Sequence, residues 1–160
     1  MMNPPAASQP PPPVEKAVAI HATCIVVGEC GVLFLGESGA GKTSLALEVL
    51  EACAAAGRFA RLVADDRTLL RVAGGRILAG PHPAIAGRHE LRGAGVRQAA
   101  HEPLARLRLV VRCQQAPAPR YPEAQEPWTF QGVALPAVVA GGAERRSRLV
   151  LAAIEDIINA

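Results

Sequence analysis

Residues Gly36-Glu37-Ser38-Gly39-Ala40-Gly41-Lys42-Thr43 match the pattern G-x-x-x-x-G-K-[ST] of a phosphate-binding loop. Such a loop links a strand to a helix, and both flanks are present. The apolar run Val32-Leu33-Phe34-Leu35 leads in, and a helix-forming run from Ser44 to Ala56 leads out. Glycines permit backbone geometry that a Cβ forbids, so successive N–H groups can converge on phosphate oxygens. Lys42 would reach the β- and γ-phosphates, Thr43 Oγ1 would ligate magnesium, and the helix N-terminus would add its partial positive charge. A nucleotide is the ligand this stretch implies.

The rest of the composition narrows what surrounds that loop. A chain of 160 residues suits one domain. Half of it is hydrophobic, but with one Trp, one Tyr and three Phe the core must be built from Leu, Val, Ile and Ala. A formal charge of +3, scattered along the chain, gives no ground for nucleic-acid binding. No apolar run approaches the ~20 residues of a membrane span, and no signal peptide is visible. Cys24, Cys30, Cys53 and Cys113 lack zinc-like spacing and read as reduced thiols of a cytoplasmic protein.

In chain order, residues 1–16 read as a proline-rich tail and residues 17–160 as the folded domain. Ala22 to Val27 reads as a buried strand, and Gly28 to Gly31 as a tight turn returning Val32 to Leu35 antiparallel to it. The phosphate loop therefore follows a hairpin. Leu45, Ala46, Val49, Leu50 and Cys53 give the next helix one apolar face, with Gly57 as its C-cap. Arg61 to Ala64 makes a short strand ending in Asp65-Asp66, at the sheet end where open α/β folds bind ligands. Thr68 to Val72 and Arg76 to Ala79 read as a second hairpin. Ile85 to Val96, dense in glycine and charge, reads as a mobile loop able to meet phosphates or a partner. Leu107 to Cys113 reads as a strand with one apolar face, Ala116 to Pro127 as a proline-rich connector holding Arg120, and Phe130 to Leu135 as a short strand. After a loop at Ala140 to Gly142, a last helix from about Ala143 carries Val150, Ala153, Ile154 and Ile157 on one side. Arg145, Arg146 and Arg148 read as its solvated face. The expected fold is a mixed α/β sandwich with a partly antiparallel sheet, the phosphate-loop helix on one face and the C-terminal helix nearby.

Taken together, these pieces resemble the catalytic domain of HPr kinase/phosphorylase, nearest to the short alphaproteobacterial form that lacks the family's N-terminal domain. His21 at the opening of the first strand, the hairpin into Gly36 to Thr43, the Leu62-Val63-Ala64-Asp65-Asp66 strand end and Glu90-Leu91-Arg92-Gly93-Ala94-Gly95 carry the resemblance. It implies a P-loop kinase domain that binds ATP at Gly36, Glu37, Ser38, Gly39, Ala40, Gly41, Lys42 and Thr43. It implies Mg²⁺ on Thr43 and Glu90, and one of Asp65 and Asp66 taking the proton of an acceptor serine while the other orients it or leans on the metal. His21 would tune that carboxylate, and Arg120 would match the family's connector arginine. The implied acceptor is HPr, the phosphocarrier of the sugar phosphotransferase system, and the implied assembly is a homo-hexamer. The family's arginine- and proline-rich loop would fall at Ala140 to Arg146, here without proline, a departure that bears on the dephosphorylating direction more than on the kinase.

Three rival classes stand against this reading. A GTPase switch would carry N-K-x-D and D-x-x-G motifs, and neither is present. The alternative is a non-catalytic or regulatory ATP-binding sensor acting on a signalling partner, which the motifs do not exclude, because a binding site survives loss of turnover. A small-metabolite kinase would need an acceptor pocket or lid that no stretch supplies.

Overall fold

The computed structural model describes residues 16–91, 93–118, 125–142 and 145–160. Residues 1–15 of the proline-rich tail, Arg92, Arg120 with half of its connector (residues 119–124), and Ala143-Glu144 lie outside the described residues.

The hairpin that leads into the glycine-rich loop is the centre of the sheet. Strand β2 (Thr23–Val27) is buried along its whole length, and β3 (Cys30–Leu35) pairs with it antiparallel, from Thr23 opposite Phe34 to Val27 opposite Cys30. Burial on both faces explains why these strands read as continuous apolar runs instead of alternating ones. Helix α1 (Lys42–Ala55) leaves the loop, buries Leu45, Ala46, Val49 and Cys53, and ends in a Schellman motif. There Arg58 N–H donates to Cys53 O and Gly57 N–H to Ala54 O, with Gly57 at φ +68, the left-handed position that glycine takes without a Cβ penalty.

Strand β4 (Ala60–Ala64) then pairs with β2, and the hairpin β5 (Thr68–Ala73)–β6 (Arg76–Pro81) follows. An edge strand β1 (Val18–Ile20) pairs with β5, and the long β9 (Ala105–Gln114) and β12 (Ala137–Gly141) complete one mixed sheet. Its order is β1-β5-β6-β9-β3-β2-β4, with β12 beside the C-terminal half of β9. Strand β9 runs parallel to β3 and β12; the other pairings are antiparallel. The sheet curls, so that β4 and β6 touch although they are not neighbours in it.

Alternating side chains divide the core in two. Ile25, Val27, Val32 and Phe34 face α1 and the C-terminal helix α2 (Arg146–Ile158), which adds Val150 and Ile154. Cys24, Val26 and Leu33 face into the curl, against Leu70, Ile77 and the small hairpin β10 (Trp128–Phe130)–β11 (Val133–Leu135). Arg58 pairs with Glu155, tying the end of α1 to α2.

Several expectations change. The segment expected as a mobile loop at Ile85 to Val96 forms a two-stranded ribbon, β7 (Arg88–Leu91) and β8 (Gly95–Gln98), with Gly93 and Gly95 supplying positive φ at its turn. It misled because it is nearly all exposed and so lacks an apolar stripe. Strand β9 is apolar on both faces, with Leu109 and Val111 in one core and Val110 in the other. Phe130 to Leu135 is split by a turn at Gln131-Gly132 (φ +44 and +81). The loop expected at Ala140 to Gly142 is largely the end of β12, whose parallel pairing with β9 is a long-range match invisible to local pattern. An unexpected short strand, β1, precedes His21, which stands just before β2, the strand expected to be first.

Candidate functional site

The loop between β3 and α1 wraps the ammonium of Lys42. Lys42 is buried, and its Nζ donates to Gly36 O at 2.8 Å and to Glu37 O at 3.1 Å. A buried cation is tolerable only with such acceptors. Helix α1 begins at Lys42 with no side-chain cap, so the first-turn N–H groups have no side-chain acceptor at the mouth of the loop.

Residues far along the chain hold the loop from behind. Gly36, at φ +153, lies so close to β9 that a Cβ there would sit 2.6 Å from Cys113 O. Gln115 Nε2 donates to Gly39 O at 3.2 Å, and Arg146 Nη1 to Ala40 O at 3.3 Å. The same guanidinium would be 2.8 Å from a Cβ on Gly41. Burial pushes the Cys113 thiol up to about 11, against the opposing pull of the Arg146 and Lys42 charges.

In front of the loop stands Asp65, buried at the end of β4. Its Oδ1 accepts from Thr23 Oγ1 at 2.9 Å and from Thr43 Oγ1 at 2.7 Å, and its Oδ2 accepts from the Glu90 N–H at 3.1 Å. One carboxylate thus joins β2, the start of α1 and the ribbon. Asp66 differs in every respect. It is exposed, holds φ +64 and pairs through Oδ1 with His21 Nδ1 at 2.9 Å. A left-handed Asp is uncommon, and the conformation turns the side chain away from the strand direction and out toward His21.

These groups line one cleft of about 370 Å³, bounded by His21, Ser38, Lys42, Thr43, Asp66 and Glu90. His21, Lys42, Thr43, Asp65, Asp66 and Glu90, singled out from sequence, are therefore neighbours in space. Arg120 lies outside the described residues. Sequence reasoning missed Thr23, Gln115 and Arg146. Thr23 carried one available signal, a lone hydroxyl residue inside an otherwise apolar buried strand. Arg146 was read as part of a solvated face, yet it is partly buried against the loop; Arg145 and Arg148 are exposed as expected. Among the described residues no three His, Cys, Asp or Glu side chains converge as a self-contained metal site, and no helix is long and apolar enough to cross a membrane.

Comparison with known proteins gives the chain a family and a fold. The family model for the HPr serine kinase C-terminal domain matches residues 14–101, more than half of the chain. HPr kinase/phosphorylase of Caldanaerobacter subterraneus is 43% identical over 81 residues, covering 49% of this chain and 24% of that protein. The Treponema pallidum protein of the same name is 37% identical over 81 residues, with the same coverage. The chain thus matches about a quarter of the length of these curated relatives. The structure of the Hpr(Ser) kinase/phosphatase from Coxiella burnetii superposes with a TM-score of 0.69 over 87% of this chain and 95% of that one, at 18% identity, a likeness of fold.

Proposed function

We propose, from the fact that this chain belongs to the HPr serine kinase C-terminal domain family, that it transfers the γ-phosphoryl group of ATP to a serine hydroxyl of the phosphocarrier HPr in the cytoplasm. The observation that carries the reading is the single cleft in which a glycine-rich loop around a buried lysine meets two aspartates of opposite character. In this reading the loop N–H groups and Lys42 hold the phosphates, Lys42 exchanging the carbonyls of Gly36 and Glu37 for phosphate oxygens.

The donor set fits magnesium held jointly by protein and phosphate. Thr43 Oγ1 spends its proton on Asp65, which leaves its lone pairs for a cation, and Glu90 borders the same cleft. Magnesium keeps water and phosphate ligands and needs only one or two from protein, so the lack of a three-residue cluster is no obstacle. When bound, the ion supplies charge neutralisation across the β- and γ-phosphates.

The two aspartates divide the remaining work. Asp65 already accepts three hydrogen bonds, so its part is to fix Thr43 and the ribbon. Asp66, exposed and paired only with His21 among the described residues, has the free carboxylate oxygen for the serine proton. The O–H bond of serine breaks as its oxygen bonds the γ-phosphorus, the β–γ bridging bond breaks toward ADP, and the proton passes to Asp66. In a loose transition state that proton moves late, so the larger service of Asp66 is to aim the hydroxyl. His21 holds the carboxylate in its left-handed pose. The reverse reaction would use the same groups with inorganic phosphate as acceptor.

The test is incubation with purified HPr, Mg²⁺ and labelled ATP. Phosphoserine on HPr supports the reading. Tight ATP binding without transfer to HPr would favour the nucleotide sensor instead.

A further inference from the structure

The bond between β2 and Asp65 depends on an irregularity in the sheet. Val27 lies opposite Ala60, Val26 opposite Arg61 and Ile25 opposite Leu62, but Cys24 lies opposite Ala64, so Val63 is an extra residue in β4. Such a bulge re-aims the side chains that follow it, often beside an active site. In unbroken register Ala64 would come opposite Thr23; with the extra residue Asp65 does, and the two side chains meet at 2.9 Å. Thr23, Ile25 and Val27 alternate onto the face covered by α1, whose first turn holds Thr43. An apolar column thus ends in one hydroxyl, fully buried and fixed by the pairing of Thr23 with Phe34 of β3.

We propose that Thr23 is a positioning residue for the magnesium that accompanies the nucleotide, an inference that rests on the phosphoryl-transfer reading above. Asp65 Oδ1 accepts two hydroxyl protons, from Thr23 at 2.9 Å and from Thr43 at 2.7 Å, while Oδ2 accepts the Glu90 N–H. Thr43 and Glu90 border the open cleft, whereas Thr23 is rooted in the central hairpin. Thr23 is therefore the donor that no ligand in the cleft can move. It stops the carboxylate turning about its Cβ–Cγ bond and keeps Oδ1 as the acceptor of the Thr43 proton. That leaves the Thr43 lone pairs toward the cleft, the orientation a cation needs. Without the Thr23 hydroxyl, Thr43 can turn its proton outward, against a positive charge. Valine has nearly the same shape and would suit the buried column, so packing alone does not call for the hydroxyl.

Calorimetric titration of the whole chain with ATP, in Mg²⁺ and in EDTA, separates the cation from the phosphates. Thr23→Val should weaken Mg²⁺–ATP about fivefold, short of the roughly 10- to 100-fold that follows loss of a group bonded directly to a metal ligand, because Asp65 stands between. Metal-free ATP should change by less than about twofold. Thr23→Ser restores the hydroxyl and should bind Mg²⁺–ATP within about twofold of wild type. Thermal melting shows that each variant is folded, and Thr23→Ala carries the same expectation should valine prevent folding. A role in stability alone would move both affinities together or neither, and either result overturns the inference, as does a serine variant that binds no tighter than valine. Wild-type protein that binds ATP equally with and without Mg²⁺ overturns it and leaves the phosphate loop standing; wild-type protein that binds in neither condition overturns both readings.

Discussion

The two walls of the cleft are built in opposite ways. The loop wall is held by groups from β9 and α2: the Cys113 carbonyl close against Gly36, Gln115 on Gly39 and Arg146 on Ala40. The ribbon wall, β7–β8, is exposed along almost its whole length and, among the described residues, is tied to Asp65 by the hydrogen bond from Glu90 N–H. The first is a preorganised cup in which donors can be fixed before a ligand arrives, as electrostatic stabilisation of a transition state requires. The second is an exposed ribbon with little packed behind it. Asp65 stands between them and is hydrogen-bonded to both.

The largest effect should come from the loop wall. Lys42→Ala removes the cation the loop is wrapped around, and labelled-phosphate transfer should fall by about 10³-fold or more, toward the background rate. Transfer within tenfold of wild type would mean that the cup is not the donor site. The next step separates the two aspartates. Asp66→Asn should lower kcat by about 10²- to 10⁴-fold, the range for loss of a general base, with ATP affinity unchanged. Asp65→Asn should also lower stability by about 1–3 kcal/mol in urea unfolding, because the amide cannot satisfy all three donors and the Thr23 hydroxyl is fully buried. If Asp65→Asn leaves stability intact while Asp66→Asn leaves turnover intact, the assignments are reversed.

The same contrast explains what could be read from the chain alone. The hairpin into the loop, the helix out of it and the aspartate pair after the next strand are signals confined to a few residues, and each is found where its local pattern put it. The ties that make those residues a site are long-range. Thr23 reaches Asp65 across 42 positions, Gln115 reaches Gly39 across 76 and Arg146 reaches Ala40 across 106. No periodicity records such pairings. The ribbon was unreadable for a different reason: with almost no buried face, its strands had no alternation to betray them. Whether an arginine after a glycine pair faces solvent or a loop depends on where β12 pairs, and that is set by packing on β9.

Two glycines sharpen the comparison at lower cost. Gly41 in the loop and Gly93 in the ribbon turn have nearly the same φ, +86 and +84. An alanine at either pays the same left-handed penalty, about 1–2 kcal/mol. Their surroundings differ: a Cβ at Gly41 meets the Arg146 guanidinium at 2.8 Å, and one at Gly93 meets nothing within 4 Å. Subtracting one variant from the other isolates the clamp from the backbone. Gly41→Ala should weaken ATP about tenfold, and Gly93→Ala less than twofold, in the same titration. Equal losses would show that the loop wall is no more constrained than the ribbon.

The smallest effect is alkaline. All four thiols lie in the sheet and α1, and none in the ribbon: Cys24 in β2, Cys30 in β3, Cys53 in α1 and Cys113 in β9. Burial raises each of them above the ordinary thiol value of 9.0. A group whose folded-state value is raised contributes stability that is complete below the unfolded value and is lost as pH climbs past it, because the unfolded chain releases its proton first. For Cys24, fully buried beside the Asp65 partner Thr23, the loss at pH 9 is about 0.4 kcal/mol, half of the unfolded thiols being ionised there. The melting temperature should therefore fall between pH 7.5 and 9, and Cys24→Ala, though less stable throughout, should fall less steeply over the same interval. The ribbon has no such thiol, so hydrogen exchange across that interval should accelerate in β2 and β9 beyond the ordinary pH dependence of exchange, with no matching excess in β7–β8. Parallel slopes for wild type and Cys24→Ala, or an excess confined to the ribbon, would show that the buried thiols do not set the alkaline limit of the loop wall.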